Sequence, residues 1–464
     1  MTDAFAGQFE ELNESTPRAP KVLPSSCTLD DLCSYAPSRA CIYLPCKTMW
    51  PNASVDDRID PQPVLDASGN PLRNSRGKVV MLSASEWLAK HRSIEALTWD
   101  PGKPEFIHDC VVVDGGYINK RGATTLNYYR PPPKIELGDA AQATRWVEHW
   151  HALYPNDAEH IIAWLACRVQ RPGVKINHAL VLGGAPKIGK DTLLEGVAHT
   201  VGEWNFQTIK LNHLVSKNNG FLKSLIVRLS EARDVSDQGT VNRYQLNDHV
   251  KEMLAAPPNT LRVNEKYINE YYVLNRAGMV VTTNYRDALI LPSDDRRHYV
   301  GFSERRGEEF PKEFWNEFWG WYETGGFAHV AALLYQYDLS NFDPKAEPPK
   351  TPAFRYMVIS GRGPAYGELA DAIDELGNPP ALTIDELSTV APGLEWLRDS
   401  TKRKSASYRI MDCGYVMTEN PEAKDGLWRI DGRRQAIYVH TDTPPDQRIA
   451  AAETHRDKLT AKKN

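Results

Sequence analysis

The spacing of apolar residues changes several times along the chain, and each change predicts a different kind of element. Between 27 and 130, short apolar runs such as 41–45 and 110–117 are bounded by Gly, Pro and Asn, which predicts short strands joined by turns. Between 139 and 170, apolar residues recur at helical spacing and are interrupted at Pro155, which predicts a pair of helices.

The stretch from 176 to 300 alternates apolar, strand-like runs with helical segments. The strand candidates are 178–182, 224–229 and 279–283. This alternation predicts an α/β fold with a parallel sheet. Further along, three amphipathic segments and two strand-like segments follow one another at 364–377, 382–387, 393–404, 414–417 and 427–439. Three helices followed by a hairpin predict a winged-helix domain.

Proline-rich and polar segments divide the chain into regions. The two main boundaries are the triple proline at 131–133 and the Pro-rich segment at 343–352. The predicted order is a disordered tail over 1–26, a mixed α/β region over 27–135, a helical collar with the α/β core over 136–340, a linker over 341–352, a winged-helix domain over 353–440 and a flexible tail over 441–464.

Charge and composition limit the classes of partner. The net charge of the 464 residues is −5, so a nucleic-acid surface must be local or must arise from several copies placed around a channel. No apolar run approaches the roughly 18–20 residues that span a bilayer, and no signal peptide is visible. The seven cysteines form no Cys-x-x-Cys pair. We therefore expect a cytoplasmic protein without a membrane partner.

A glycine-rich segment directly follows the first strand of the α/β core and precedes a helix. It fits the pattern Gly-x-x-x-x-Gly-Lys-[Ser/Thr] at its two glycines and its lysine. Such glycines let backbone N–H groups face phosphate oxygens, and the lysine adds charge at the β- and γ-phosphates of ATP. We call residues 184–192 the candidate phosphate loop: Gly184, Ala185, Pro186, Lys187, Ile188, Gly189, Lys190, Asp191 and Thr192.

One position departs from that pattern. Asp191 stands where a serine or threonine hydroxyl would ligate Mg²⁺, and Thr192 comes next. A carboxylate also ligates Mg²⁺, although it adds negative charge beside the phosphates. Asp191 and Thr192 are both candidate magnesium ligands.

The second predicted strand ends in an acid. Residues 225–230 are mainly apolar and Glu231 follows them, as expected of a carboxylate that polarises the attacking water and contacts Mg²⁺ bound with ATP. The metal-orienting aspartate expected just before it is Ser230, while Asp234 lies beyond the strand. Glu231 is the candidate catalytic acid, and an exposed glutamate ending an edge strand is the alternative.

The third strand ends in Asn284, an amide suited to sensing a γ-phosphate. Arg296 and Arg297 follow in an Asp-Asp-Arg-Arg run. An arginine there can reach the nucleotide of a neighbouring subunit and stabilise transition-state charge. The alternative is a solvated cluster of ion pairs. Which arginine acts is left open.

Together these elements resemble superfamily 3 helicases of the AAA+ class, in particular the phage and plasmid primase-helicase proteins of poxvirus type. The resemblance implies a homo-hexameric ring that hydrolyses ATP, translocates on single-stranded DNA and unwinds duplex DNA during replication of a mobile element in a bacterial host. It places a basic pore hairpin at Lys266, with Lys251 and Arg262 nearby. The N-terminal part lacks a carboxylate-rich primase core, so any primase is expected to be a separate partner.

The predicted winged-helix domain carries a basic surface. Its third helix and wing hold Arg398, Lys402, Arg403, Lys404, Arg409, Arg429, Arg433 and Arg434. We expect these side chains to contact DNA phosphates without reading sequence. The alternative is a packing or oligomer-contact module.

Two other functions remain open at this point. A P-loop phosphotransferase would need an acceptor pocket and a lid. A nucleotide-binding scaffold or DNA-binding protein with weak or no hydrolysis is compatible with the departures at Asp191 and Ser230. DNA-stimulated ATPase activity would separate all three.

Overall fold

The computed structural model describes residues 27–230, 243–361, 363–391 and 413–461, with positions 394, 397, 407 and 409–411. The tail predicted over 1–26 lies outside these residues. None of the described helices is both long enough and apolar enough to cross a membrane.

The N-terminal region is built from short strands, as predicted. They form a four-stranded sheet in the order β3-β2-β1-β6, a three-stranded sheet in the order β7-β9-β8, and the small pair β4-β5. Helix α2 begins after Ser83, whose hydroxyl accepts the N–H of Glu86 in a capping box. The bounds are β1 Leu32–Tyr35, β2 Ala40–Tyr43, β3 Thr48–Trp50, α1 Asn52–Asp56, β4 Gln62–Pro63, β5 Met81–Leu82, α2 Ala84–His91, β6 Ser93–Ile94, β7 Ala96–Thr98, β8 Phe106–Val113 and β9 Gly116–Asn127.

Two helices follow, α3 at Thr144–Leu153 and α4 at Ala158–Gln170. They confirm the pair predicted from helical spacing. Trp146 and Trp150 of α3 and Ile161 of α4 are fully buried against the central core. The two helices thus share one hydrophobic core with the sheet that follows them.

The core is a five-stranded parallel sheet in the order β11-β12-β15-β10-β16. Its strands are β10 Ala179–Gly183, β11 Phe206–Ile209, β12 Ile226–Ser230, β15 Gly278–Thr283 and β16 His298–Phe302. Strands β10 and β15 are buried along their whole length, which explains their nearly continuous apolar sequence. The three predicted core strands are confirmed with ends shifted by two residues or fewer. Their carboxyl ends meet at one edge, where ligands bind in open α/β sheets.

Helices and one hairpin surround this sheet. The helices are α5 Lys190–Val201, α6 Leu211–Leu214, α7 Arg243–Leu254, α8 Lys312–Trp321 and α9 Phe327–Gln336, with a π-turn at Tyr322–Gly326 between the last two. The hairpin comprises β13 Thr260–Glu265 and β14 Ile268–Leu274. It lies in the chain between β12 and β15, at the place where the resemblance to superfamily 3 helicases implies a hairpin.

The C-terminal region contains an antiparallel sheet in the order β17-β21-β18 and a separate hairpin, β19-β20. Thr383 caps helix α12, because its hydroxyl accepts the N–H of Glu386. The predicted third helix over 393–404 lies almost wholly outside the described residues, so the winged-helix assignment stays a prediction. The bounds are α10 Pro352–Gly361, α11 Gly363–Glu375, β17 Ala381–Thr383, α12 Ile384–Val390, β18 Tyr415–Thr418, β19 Trp428–Ile430, β20 Arg433–Gln435, β21 Ile437–His440 and α13 Arg448–Ala461.

Two predicted boundaries need correction. Helix α10 belongs to the central core, because Phe354 and Met357 are buried in the same cluster as the parallel sheet. The segment predicted as a flexible tail forms α13 instead. That helix is anchored by the buried Ala452 and by a 2.8 Å hydrogen bond between His455 Nε2 and Glu386 Oε2. A mainly polar helix with so few anchoring positions gives little periodic signal.

Candidate nucleotide site

The candidate phosphate loop joins β10 to α5 at the carboxyl edge of the sheet. Gly184, Lys187 and Gly189 have positive φ angles of 148°, 66° and 96°. A Cβ atom on Gly189 would lie 2.3 Å from Trp315 and 2.7 Å from His149, so this position has no room for a side chain. Helix α5 begins immediately afterwards, and its first backbone N–H groups have no partner within the helix. Such a terminus favours anions.

The side chains of Lys190 and Asn284 are in contact at this carboxyl edge of the sheet. The Lys190 ammonium donates to Gly184 O at 2.7 Å, to Ala185 O at 2.9 Å and to Asn284 Oδ1 at 3.1 Å. Burial lowers the pKa of Lys190 to about 8, and the neighbouring Asp191 carboxylate partly opposes this shift. Two residues predicted from separate motifs are therefore in direct contact.

A cleft of about 840 Å³ opens over the loop, a size common for small-molecule sites. Among its described lining residues, five carry positive charge and Asp191 alone carries negative charge. This balance suits a polyanion. The positive residues are Lys187, Lys190, Lys210, Arg228 and Lys312.

Asp191 and Thr192 lie in the first turn of α5 and both line the cleft. Asp191 Oδ1 is 3.2 Å from Arg228 Nη1 on β12. Ser230, the last described residue of β12, lines the same cleft. Glu231 and Asp234 lie outside the described residues, so the candidate catalytic acid stays a prediction.

These oxygen donors are compatible with Mg²⁺. The described residues include no group of three or more His, Cys, Asp or Glu side chains able to hold a metal by themselves. Magnesium commonly binds through one or two protein oxygens together with phosphates and water. Asp191, Thr192 and Ser230 therefore fit a metal that arrives with a nucleotide.

His149 contacts the phosphate loop and positions it, a role that the sequence analysis does not predict. Its Nε2 donates to Ile188 O at 2.9 Å, and its ring makes an edge contact with Trp315 at 5.6 Å between centroids. Burial lowers its pKa, so the ring is neutral near pH 7. The helical pattern of α3 marks His149 as buried but does not reveal a partner 39 residues away.

Aromatic residues of the segment before and within α8 form one wall of the cleft. Phe310, Trp315 and Trp319 line it, and Trp319 is 40% exposed. The sequence indicates a packing stripe here, which is correct for the buried Phe318. Trp315 and Trp319 instead line one side of the cleft. Core packing and a cleft wall have the same helical period, so spacing alone does not separate them.

Arg296 and Arg297 are not in this cleft. Arg297 O accepts the N–H of Ala179 at the amino end of β10, whereas the phosphate loop follows its carboxyl end. At about 3.3 Å per residue, the length of this strand separates the two edges by roughly 16 Å. The Arg296 side chain is 76% exposed and lies 3.7 Å from Glu347.

The β13-β14 hairpin turns at Lys266 and Tyr267, and both residues are exposed. Tyr267, which the sequence analysis did not select, is 95% exposed and has a φ angle of 66°. Arg262 on β13 forms an ion pair with Glu270 on β14. Lys251 lies in the last turn of α7. The hairpin tip is thus one cation beside one aromatic ring.

Of the basic residues in the C-terminal region, only some can be placed. Arg398, Lys402, Arg403 and Lys404 lie outside the described residues. Arg409 is half-buried, while Arg429, Arg433 and Arg434 are exposed on the β19-β20 hairpin. Arg434 Nη1 pairs with Asp425 Oδ2 at 2.5 Å, so part of this charge is already balanced.

Comparison with known proteins gives a family match and distant structural similarity. Residues 182–298, which include the phosphate loop, β12 and β15, match a family of unknown function, DUF5906. No curated protein matches the chain. The chain is similar to the apo structure of the NrS-1 C terminal region (305–718), at 17% identity and a TM-score of 0.49, over 75% of this chain and 85% of that one. An A form of the same region gives 15% identity and a TM-score of 0.49 over 82% and 96% of the two chains. A JCV helicase bound to an acetamide compound gives 14% identity and a TM-score of 0.30 over 52% and 66%.

Proposed function

We propose that this chain is an ATPase motor of helicase type, which hydrolyses ATP to translocate on single-stranded DNA and unwind duplex DNA during replication of a phage or other mobile element. The observation that carries the proposal is the contact between Lys190 and Asn284 at the carboxyl edge of the parallel sheet. A phosphate-binding lysine and a polar sensor are required at one place for γ-phosphate chemistry. The five cations of the cleft support a triphosphate ligand.

In this proposal each residue has a separate task. Lys190 and the amino end of α5 bind the β- and γ-phosphates, and Asn284 contacts the γ-phosphate. Asp191, Thr192 and Glu231 are the candidate magnesium ligands, and bound Mg²⁺ supplies charge neutralisation at the phosphates. Glu231 accepts the proton of the attacking water. The adenine ring of ATP lies against the wall formed by Trp315 and Trp319.

The position of Arg296 and Arg297 supports assembly. An arginine at the opposite edge of the sheet from Lys190 cannot reach the nucleotide bound by its own chain. It can act only on a nucleotide held by another subunit, as an arginine finger does. A closed ring of six copies provides one such interface per site. We therefore propose a homo-hexamer in the bacterial cytoplasm, with a separate primase as a possible partner.

Two surfaces are proposed to contact DNA. The exposed Lys266 and Tyr267 place a charge and a stacking ring at the hairpin tip, the two groups that bind single strands without sequence preference. Arg262 lies on β13 of the same hairpin, and Lys251 lies in the last turn of α7. The basic residues Arg398, Lys402, Arg403, Lys404 and Arg409 are proposed to hold duplex phosphates. Because the net charge is −5, binding depends on such local concentrations.

One second function is favoured by a specific observation. The ion pair between Asp191 and Arg228 places a carboxylate inside a phosphate cleft, which is compatible with a nucleotide-binding scaffold that hydrolyses slowly. A phosphotransferase is less well supported, because the sequence offers an acid strand and an arginine run instead of an acceptor pocket.

The decisive experiment measures ATP hydrolysis by the purified chain with and without single-stranded DNA, followed by strand separation of a forked duplex. A motor hydrolyses ATP faster with DNA and separates the strands. ATP binding without hydrolysis supports the scaffold. Transfer of phosphate to an acceptor other than water supports the phosphotransferase.

A further inference from the structure

Compared with other P-loop NTPases, the phosphate cleft of this chain has a carboxylate and a hydroxyl at each other's positions. P-loop NTPases hold Mg²⁺ with a Ser or Thr on the loop and an Asp on the neighbouring strand. This chain has Asp191 on the loop and Ser230 at the end of β12. Both residues line the same cleft. The exchange leaves the number of carboxylates and hydroxyls in the cleft unchanged.

Arg228 provides the second observation. It lies on β12 two residues before Ser230, so the two side chains share one face of the strand. Its side chain is only 14% exposed, yet its guanidinium reaches Asp191, with Nη1 at 3.2 Å from Oδ1. Arg228 Nε is buried without a hydrogen-bond partner among the described residues. Arg228 therefore lines the cleft with a guanidinium whose contacts to the described residues include the Asp191 carboxylate but leave Nε unsatisfied.

We propose that Asp191 and Ser230 are exchanged metal donors: the Asp191 carboxylate binds Mg²⁺ from the loop, and the Ser230 hydroxyl binds it from β12. Arg228 is a positioning residue that holds Asp191 in the cleft. Without Arg228 the Asp191 carboxylate would repel the phosphates beside it. With it, the carboxylate is balanced until Mg²⁺ and the nucleotide enter. This inference rests on the proposed function, because it assumes a magnesium nucleotide in this cleft.

The test measures affinity rather than turnover. Calorimetry gives the Kd of a non-hydrolysable ATP analogue with Mg²⁺ and with EDTA, and the ratio of the two values is the magnesium enhancement. Asp191→Ser removes the carboxylate and is expected to lower this enhancement by about tenfold to a hundredfold. Adding Ser230→Asp to this variant places a carboxylate at the end of β12 and should restore the magnesium enhancement. The matched control, Asp191→Ser with Ser75→Asp, keeps the net charge but places the carboxylate on an exposed turn that does not line the cleft, and it should not restore the enhancement.

Arg228 is tested in two backgrounds. Arg228→Met should weaken binding in EDTA when Asp191 is present, and should have a smaller effect when Asp191 is already serine, because no carboxylate then needs balancing. An equal loss in both backgrounds would overturn the positioning role and assign Arg228 to the phosphates directly. Thermal unfolding identifies variants that fail to fold, and Arg228→Gln, which also removes the charge but keeps a polar side chain, is the replacement for Arg228→Met in that case.

The outcomes for the two proposals are distinguishable. If the wild-type chain binds the analogue with magnesium enhancement but the exchange variant does not recover it, only the exchanged-donor inference falls. If the wild-type chain does not bind the analogue under either condition, the proposed ATPase function falls and this inference falls with it. Recovery by the exchange variant and not by the control supports both.

Discussion

Lys190 and Asn284 are 94 residues apart in the chain, and the Lys190 ammonium donates a 3.1 Å hydrogen bond to Asn284 Oδ1. The contact exists because β10 and β15 are paired neighbours in the parallel sheet, so the segments that follow them leave from the same edge. All three protons of the Lys190 ammonium are directed to oxygen acceptors of the protein. A bound phosphate must therefore replace protein oxygens around a lysine that is already positioned.

Replacing Lys190 tests the phosphate site. Lys190→Ala should lower ATP hydrolysis by at least about a hundredfold, because one preorganised charge at the transferred phosphate is lost. The fold should persist, since no apolar core residue is removed. Lys90→Ala, an exposed lysine on α2, is the control and should hydrolyse ATP normally. Turnover within a few-fold of wild type in Lys190→Ala would remove this residue from the site.

The lowered pKa of Lys190 predicts proton uptake on nucleotide binding. Burial brings this pKa to about 8, so the amine is partly neutral above that pH. Phosphate oxygens favour the charged ammonium and raise its pKa in the complex. Affinity should therefore fall as pH rises through 8, by up to about one logarithmic unit per pH unit, and should not depend on this group well below pH 8.

Calorimetry at pH 8.5 in buffers of different ionisation enthalpy measures that uptake directly. Lys190→Arg is the matched control, because a guanidinium stays charged at this pH and has no proton to gain. Equal proton uptake by wild type and Lys190→Arg would show that another group titrates.

His149 should couple loop order to nucleotide affinity. His149→Phe keeps the aromatic contact with Trp315 and leaves Ile188 O without its buried donor. We expect a loss of about 1–3 kcal/mol in the free energy of unfolding and weaker nucleotide binding. Denaturant unfolding and Kd are the measurements. His151→Phe, a more exposed histidine on the same helix, should change neither, and a stable His149→Phe protein with unchanged Kd would contradict the coupling.

Much of the fold could be predicted from the sequence, for a physical reason. Strands β10 and β15 are buried on both faces and leave uninterrupted apolar runs. The hairpin that turns at Lys266 was implied only by the resemblance to superfamily 3 helicases. The ion pair between Asp191 and Arg228 could not be predicted, because Arg228 belongs to none of the motifs that the sequence shows. The helical spacing of Trp319 does not show that it lines the cleft, because a core face and a cleft wall have the same period. Helix α13 was missed because only Ala452 and His455 among its described residues are buried.

The hairpin tip should matter for unwinding more than for ATP hydrolysis. Lys266→Ala and Tyr267→Ala remove the charge and the ring that are exposed at the turn. Each should reduce strand separation and leave ATPase activity without DNA within about twofold, because the tip lies outside the cleft. Loss of the stacking ring should cost about 1–3 kcal/mol of single-strand binding. Arg262→Ala is the comparison, because Arg262 is paired with Glu270 and should have the smaller effect. Normal unwinding by both tip variants would place the DNA path elsewhere.

The opposite placement of Arg297 and Lys190 leads to a prediction about assembly. Arg297→Ala should hydrolyse ATP about a thousandfold more slowly or worse, as expected when an arginine finger is removed. Lys190→Ala should also be inactive, for the separate reason that its own cleft is defective. When the two inactive proteins are mixed, some interfaces combine the intact cleft of one subunit with the intact Arg297 of the other. Activity should therefore reappear in the mixture and depend on protein concentration. Arg296→Ala, tested in the same way, shows which of the two arginines acts. A mixture as inactive as its components, or a monomer with full activity, would contradict catalysis across a subunit interface.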